Sequence, residues 1–221
     1  MGNMKLLLAL STIGALSYGM SSQCMADDNG WSANVAATSN YLWRGLEQTN
    51  GSAAISGGID YASNSGFYAG TWASNADWAD EMTYELDFYA GFAGETKNFS
   101  YDIGFIYYAY PDSKDDVDFS ELYASISMGM FSLSYSVLAD AEGVDFADDS
   151  YVAIDVALPV HSEIDVTLHV GHGTDDFYAG ESFTDYGISL SKSGFTFGLS
   201  NTDLDNDDMK VYVSYSIDID L

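Results

Sequence analysis

Acidic residues and tyrosines recur at every second position along this 221-residue chain. In "TYELDFYAGFAG" (83–94) Glu85, Asp87 and Tyr89 alternate with Tyr84, Leu86 and Phe88. Asp102 and Tyr108 keep the spacing in "FSYDIGFIYYAY" (99–110), Glu121 and Tyr123 in "ELYASISMGM" (121–130), Asp155 in "YVAIDVAL" (151–158) and Asp165 in "IDVTLHVG" (164–171). Carboxylates gathered on one surface raise the local concentration of cations and repel anions. Tyrosine faces attract quaternary ammonium groups. Against these acids stands one arginine, Arg44, whose planar fork pairs bidentately with a carboxylate. It serves either as an ion pair that ties its own strand to its neighbours or as a contact for a solute.

Other chemistry is less well served. His169 or His172, near Asp175 and Asp176, has the composition of a general base with an orienting acid. No serine stands in a nucleophile elbow, and serine is common on every polar face, so catalysis is not expected. "DLDND" (203–207) spaces carboxylates like a calcium loop, but Asp208 replaces the required Gly and Ser214 the required Glu. Loose surface binding of divalent ions is the most it supports. No cofactor and no dedicated metal site are expected.

The elements that must carry these residues are strands, because successive side chains of a strand point to opposite sides. The closing "VYVSYSIDIDL" (211–221) has Val, Tyr, Ile or Leu at its odd positions and, Tyr212 apart, Ser or Asp at its even ones. The stretches quoted above, with 131–137, 185–190 and 195–200, divide in the same way, and 31–43, 52–61 and 67–75 are compatible. This makes about twelve strands of the length that crosses a bilayer when tilted. Their connectors alternate between short ones (62–66, 94–98, 129–131, 159–163, 191–194) and mostly longer acidic ones (76–81, 111–118, 140–149, 173–182, 202–208). A soluble sandwich has no reason for such asymmetry; a barrel in an outer membrane does. The expected fold is all-β: a transmembrane antiparallel up-and-down β-barrel over 27–221, with strands from 31 onward. Both chain ends then lie in the periplasm and the acidic connectors outside.

On this reading the second face of each strand lists the lumen. It holds Arg44, at the outer end of a first strand 31–43, with Asp60, Glu85, Asp87, Asp102, Glu121, Asp155, Asp165, Asp185, Asp218 and Asp220. Between them stand Tyr89, Tyr108, Tyr110, Tyr123, Tyr151 and Tyr212. Arg44, Glu85, Asp87, Asp102, Tyr108, Glu121, Tyr123, Asp155 and Asp165 are the candidates for setting selectivity.

The first 26 residues read as a secretory signal: Lys5, an apolar run over 6–20 and a small-residue exit before Asp27, with cleavage after Ala26. Lipidation of Cys24 is the rival, but "SSQ" before it lacks the aliphatic and small residues of such a site. Cys24 is the single cysteine, so no disulfide framework is available. Cleavage leaves five basic residues against 34 acidic ones, a net charge of −29, which excludes nucleic acid as a partner. Aromatic residues at 15% and only 2 prolines argue against disorder.

The stretch "TSNYLWRGLEQTNGSAAISGGIDYASNSGFYAGTWASN" (38–75), with "YDIGFIYYAYP" (101–111) and "ELYASISMG" (121–129), resembles the TorF-type porin family of proteobacteria. The likeness is densest before residue 130. It implies an outer-membrane barrel with a role in small-solute uptake and, for the namesake, a link to trimethylamine-N-oxide respiration. No catalytic residues come with it. Leu221 departs from the Phe or Trp that ends most outer-membrane proteins, which bears on recognition by the barrel-assembly machinery. The expected function is therefore a porin-like channel for small cationic or zwitterionic solutes. Its expected partners are outer-membrane lipid and lipopolysaccharide. The alternative is a plugged structural or binding barrel without conductance.

Overall fold

A computed structural model describes residues 30–161, 164–174 and 177–221. Its strands in chain order are β1 (Gly30–Thr38), β2 (Leu42–Trp43), β3 (Leu46–Glu47), β4 (Ala54–Ala62), β5 (Phe67–Asn75), β6 (Tyr84–Glu95) and β7 (Ser100–Ala109). There follow β8 (Phe119–Met128), β9 (Phe131–Ala141), β10 (Ser150–His161), β11 (Ile164–Gly173), β12 (Phe183–Lys192), β13 (Phe195–Thr202) and β14 (Lys210–Asp220). All except β2 and β3 form one closed antiparallel barrel in sequence order. β1 completes the ring: Ser32 faces Asp60 of β4 on one side and Asp220 of β14 on the other. Closure gives every strand two neighbours, so no ladder of N–H and C=O groups is left open to lipid. The signal reading of 1–26, with Cys24 and the cut after Ala26, lies outside the described residues.

Alternation becomes an outside and an inside. Along β6, Tyr84, Phe88 and Phe92 are exposed on the outer surface, while Glu85, Asp87 and Tyr89 are buried on the inner one. On β14, Val211, Val213, Tyr215, Ile217 and Ile219 face outward. Apolar side chains so exposed all round a barrel exceed anything a soluble monomer shows and match hydrocarbon. The barrel strands run from 8 to 12 residues, the span of a tilted transmembrane strand. Aromatic pairs collect outside the turn end: Trp31 with Tyr61, Phe67 with Phe92, and Phe195 with Tyr215. Such belts mark the bilayer interface.

Inside, tyrosines lie across glycines of the neighbouring strand. Tyr68 faces Gly91, Tyr89 faces Gly70, Tyr123 faces Gly104 and Tyr212 faces Gly198 in register. A Cβ on Gly70 would fall 2.6 Å from the Tyr89 ring, and one on Gly104 would meet the Tyr123 hydroxyl. The glycines are therefore where the wall admits a flat ring.

One boundary differs from expectation. β1 stops at Thr38 instead of running to residue 43, because the chain leaves the wall there. The Thr38 hydroxyl donates to the Asn40 carbonyl at 2.8 Å, and the Asn40 side chain donates to Glu47 at 2.6 Å. Residues 39–53 thereby form a sixth long connection at the loop end, and this one folds into the bore.

Candidate functional site

The inward fold of residues 39–53 is built on a two-residue turn. Leu42 pairs with Glu47 and Trp43 with Leu46, and the Gln48 amide donates to the Tyr41 carbonyl at 2.8 Å. The turn residues Arg44 and Gly45 both have positive φ, 52° and 76°, the geometry of a type I′ turn. That costs Arg44 about 1 kcal/mol relative to glycine. Gly45 meets the inner wall: a Cβ there would lie 2.8 Å from Asp185 of β12 and 2.9 Å from Thr202 of β13. The hairpin thus spans the bore and fills its loop-end half.

Arg44 fastens it to the far wall. Its Nη1 and Nη2 donate to Oε1 and Oε2 of Glu121 on β8, each at 2.8 Å, and both side chains are fully buried. Tyr178, from the 174–182 connection, donates to the same carboxylate at 2.7 Å, and Tyr108 lies 3.4 Å from it. The guanidinium carbon stands 4.2 Å from the ring centroids of Trp43 and Tyr151 and 4.6 Å from that of Tyr178. Burial and the adjacent Glu121 carboxylate push the Tyr178 hydroxyl up, so it remains a donor. An ion pair this deep holds because every charge has hydrogen bonds and ring faces in place of water.

The remaining inward carboxylates are held in smaller groups. The Tyr41 hydroxyl, itself pushed up by burial and by the charges of Glu85 and Asp87, donates to Glu85 at 3.2 Å. Asp87 lies beside Glu85 on the same face of β6, and one oxygen of each carboxyl is buried without a donor among the described residues. Tyr68 donates to Asp102 at 2.6 Å and shares a hydroxyl contact with Tyr123. Tyr89 donates to Asp60, and Tyr151 donates to Asp185 at 2.7 Å. His169 lies between Asp155 and Asp185, each ring nitrogen 2.8 Å from a carboxylate oxygen. Asp165, Asp218 and Asp220 share the inward parity of their strands but stand exposed at the turn end, where the bore is open to water.

The residues expected in the lumen therefore lie on inner faces, with one change: Arg44 enters from the hairpin rather than from a barrel strand. Arg44, Glu121 and Tyr108 form one cluster; Glu85 with Asp87, Asp102 with Tyr123, and Asp155 with His169 form others; Asp165 stands apart. Asp175 and Asp176, the acids expected near His169, lie outside the described residues. Both ring nitrogens of His169 are taken up by contacts with Asp155 and Asp185. His172 is exposed, 3.2 Å from the Thr184 hydroxyl. In the 203–207 run, Asp203 accepts the Thr184 amide, and Asp207 accepts Thr202 and Lys210. Burial pushes the Asp207 carboxyl up, but the hydrogen bonds from Lys210 and Thr202 outweigh this and hold it below the usual range. Trp43, Tyr41, Tyr68 and Tyr178 were not foreseen. The aromatic pair Phe177–Tyr178 inside an acidic connector was the available signal for the last.

At the loop end a cavity of about 410 Å³ shares Trp43 and Tyr178 with the Arg44–Glu121 pair, the latch that fastens the hairpin. Its aromatic lining is Trp43, Trp78, Tyr110, Phe119, Phe177 and Tyr178, and its carboxylates are Glu47, Asp116, Asp118 and Glu142.

Among proteins of known structure, the KdgM porin has a similar fold, with a TM-score of 0.56 at 8% identity over 86% of this chain and 99% of that one. The KdgM porin in complex with disordered oligogalacturonate gives 0.55 at 7% identity, over 86% of this chain and 99% of that one. A chain solved in work on the in-meso crystallization of membrane proteins gives 0.58 at 9%, over 87% and 84%. At these identities the likeness is one of fold: a porin-type barrel. No curated protein matches the sequence. Residues 24–218 match a family described as "Bacterial protein of unknown function (Gcw_chp)".

Proposed function

For a chain that belongs to this bacterial family of unknown function, Gcw_chp, and folds as a closed porin-type barrel, we propose an outer-membrane channel for small cationic or zwitterionic solutes. The observation that carries it is the inner wall. Asp60, Glu85, Asp87, Asp102, Glu121, Asp155, Asp165, Asp185, Asp218 and Asp220 share an interior in which Arg44 is held by Glu121 and His169 lies between Asp155 and Asp185. Carboxylates in a narrow bore are screened little, whereas those on outer loops lose their field within about 8 Å at about 0.15 M salt. The resemblance of residues 38–75 to TorF-type porins supports the same reading, with solutes resembling trimethylamine-N-oxide among those to try. The oligogalacturonate bound by the KdgM porin is a polyanion. An acidic wall disfavours such cargo, so fold likeness does not carry solute choice.

In the conformation described, the hairpin fills the loop-end half of the bore, so conduction requires it to move or to leave a narrow path beside it. This favours, as a second reading, a non-conducting structural barrel. Planar-bilayer recording separates the two: the channel gives discrete conductance steps, and reversal potentials in a salt gradient show cation preference. Neutralising the water-exposed Asp165, Asp218 and Asp220 to Asn reduces that preference while the barrel still folds. Anion preference in the unaltered protein, or no steps at all, sinks the proposal.

A further inference from the structure

The cavity at the loop end shares Trp43 and Tyr178 with the Arg44–Glu121 latch, but Trp78, Tyr110, Phe119, Phe177, Asp116 and Glu142 line it without touching that ion pair. Its rings form a continuous chain: Trp78 with Tyr110 at 5.1 Å between centroids, Tyr110 with Phe119 at 6.4 Å, Phe119 with Phe177 at 5.2 Å, Phe177 with Tyr178 at 5.3 Å, and Tyr178 with Trp43 at 5.6 Å. Most of these contacts are edge to face, so the rings stand at steep angles to one another instead of stacking their electron-rich faces together. Four carboxylates accompany them, and among the described residues no lysine or arginine lines the space. Two carboxylates are held in place: Asp118 accepts the Tyr110 amide at 2.7 Å and the Tyr107 hydroxyl, and Glu47 accepts Asn40.

We propose that this cavity binds a small organic cation bearing a methylated ammonium group, an inference that rests on reading the barrel as a solute channel and names where its solute is first held. Each feature of the lining selects that class. Aromatic faces and carboxylates together favour positive charge, while rings offer nothing to the hydration shell of an inorganic ion. A methylated ammonium is weakly hydrated and gains from both. A neutral apolar molecule would use the rings but not the acids. A carboxylate on the ligand would face Glu47, Asp116, Asp118 and Glu142, so a plain cation binds better than a zwitterion of the same size. The volume lies within the range of small-molecule sites. The protein itself already places a cation on two of these rings, since Arg44 stands over Trp43 and Tyr178. Glu121 neutralises that charge, so Arg44 does not repel a second cation nearby. One wall of the site, Trp43 to Gln48, belongs to the hairpin that fills the bore.

The test is calorimetric titration of the full mature chain in detergent with choline, with 3,3-dimethylbutan-1-ol as its neutral isostere, and with potassium chloride. Choline should bind saturably and at least about tenfold more tightly than the alcohol, with no saturable potassium binding. Trp78→Leu, at a partly exposed loop position away from the barrel wall, should weaken choline about threefold to tenfold and leave heat-modifiable migration unchanged. Asp116→Asn, also in a loop, should weaken choline and not the alcohol. Equal binding of choline and the alcohol overturns the proposal, as does choline binding untouched by Trp78→Leu. Conductance recorded on the same preparation separates this from the channel reading. Saturable choline binding without conductance leaves the site standing and removes the channel; conductance without saturable binding does the reverse.

Discussion

Arg44 and Glu121, 77 residues apart in the chain, meet across the bore through two parallel hydrogen bonds of 2.8 Å with no solvent exposure on either side chain. In the ring of strands β8 stands five places from β1, nearly opposite the wall from which the hairpin departs. The pair therefore joins two sides of the barrel that backbone pairing leaves apart.

Removing one partner strands the other. Arg44→Gln should destabilise the barrel by about 3–5 kcal/mol, since Glu121 would remain buried and uncompensated. Adding Glu121→Gln should recover much of the loss, because two neutral groups bury at less cost than one charge. Urea unfolding in lipid vesicles reads both. A double variant no more stable than Arg44→Gln would show that the pair is not coupled in this way.

The glycine seats can be tested away from the Arg44–Glu121 pair. Gly104→Ala must push the Tyr123 ring off the wall and break its contact with Tyr68, costing about 1–3 kcal/mol. In a Tyr123→Ala background the same substitution should cost much less. Equal costs in both backgrounds would mean that the ring does not rest on the glycine.

Replacing residues 42–47 with two glycines should leave the barrel closed, because Tyr41 and Gln48 are already joined by a backbone hydrogen bond at the base of the hairpin. With the hairpin gone, single-channel conductance should rise severalfold. An unchanged conductance would place the constriction elsewhere.

Proteolysis of intact cells checks the orientation. A signal cut ahead of β1, expected from the sequence, would leave the start of β1 in the periplasm and so put 110–118 and 142–149 outside and the turns 96–99 and 193–194 inside. Cleavage at the first two and protection of the others is the expected pattern; the reverse would show an inverted barrel.

Acid should loosen one loop before the rest. The Asp207 carboxyl is lower in the folded chain than unfolded, so its contribution is present above the ordinary aspartate pKa of about 4 and lost as pH falls through the lowered value. Amide exchange over 203–209 should therefore accelerate below about pH 4, and Lys210→Met should move that onset upward. No change on loss of Lys210 would remove the pair as its cause.

What the amino-acid order determined by itself was parity. A strand side chain has two places to go, and the requirement that apolar residues meet lipid sends Phe88 out and Asp87 in wherever the ladder is continuous. Hence the strand number, the two kinds of connector and the inward parity of the acids follow from residue order alone, and even His169 carries the parity of Asp165. Periodicity says nothing once the ladder stops. At Ser39 the chain leaves the wall, and the destination of Trp43, Arg44 and Gly45 depends on what stands opposite: Glu121, Tyr151, Asp185 and Thr202, contributed by four other strands. Tyr178 likewise joins the latch only because its connection folds inward over that carboxylate. The tertiary structure alone decided that the 39–53 connection crosses the bore at its outer end, because that is set by how far a loop reaches across a closed ring, and no local spacing encodes that distance.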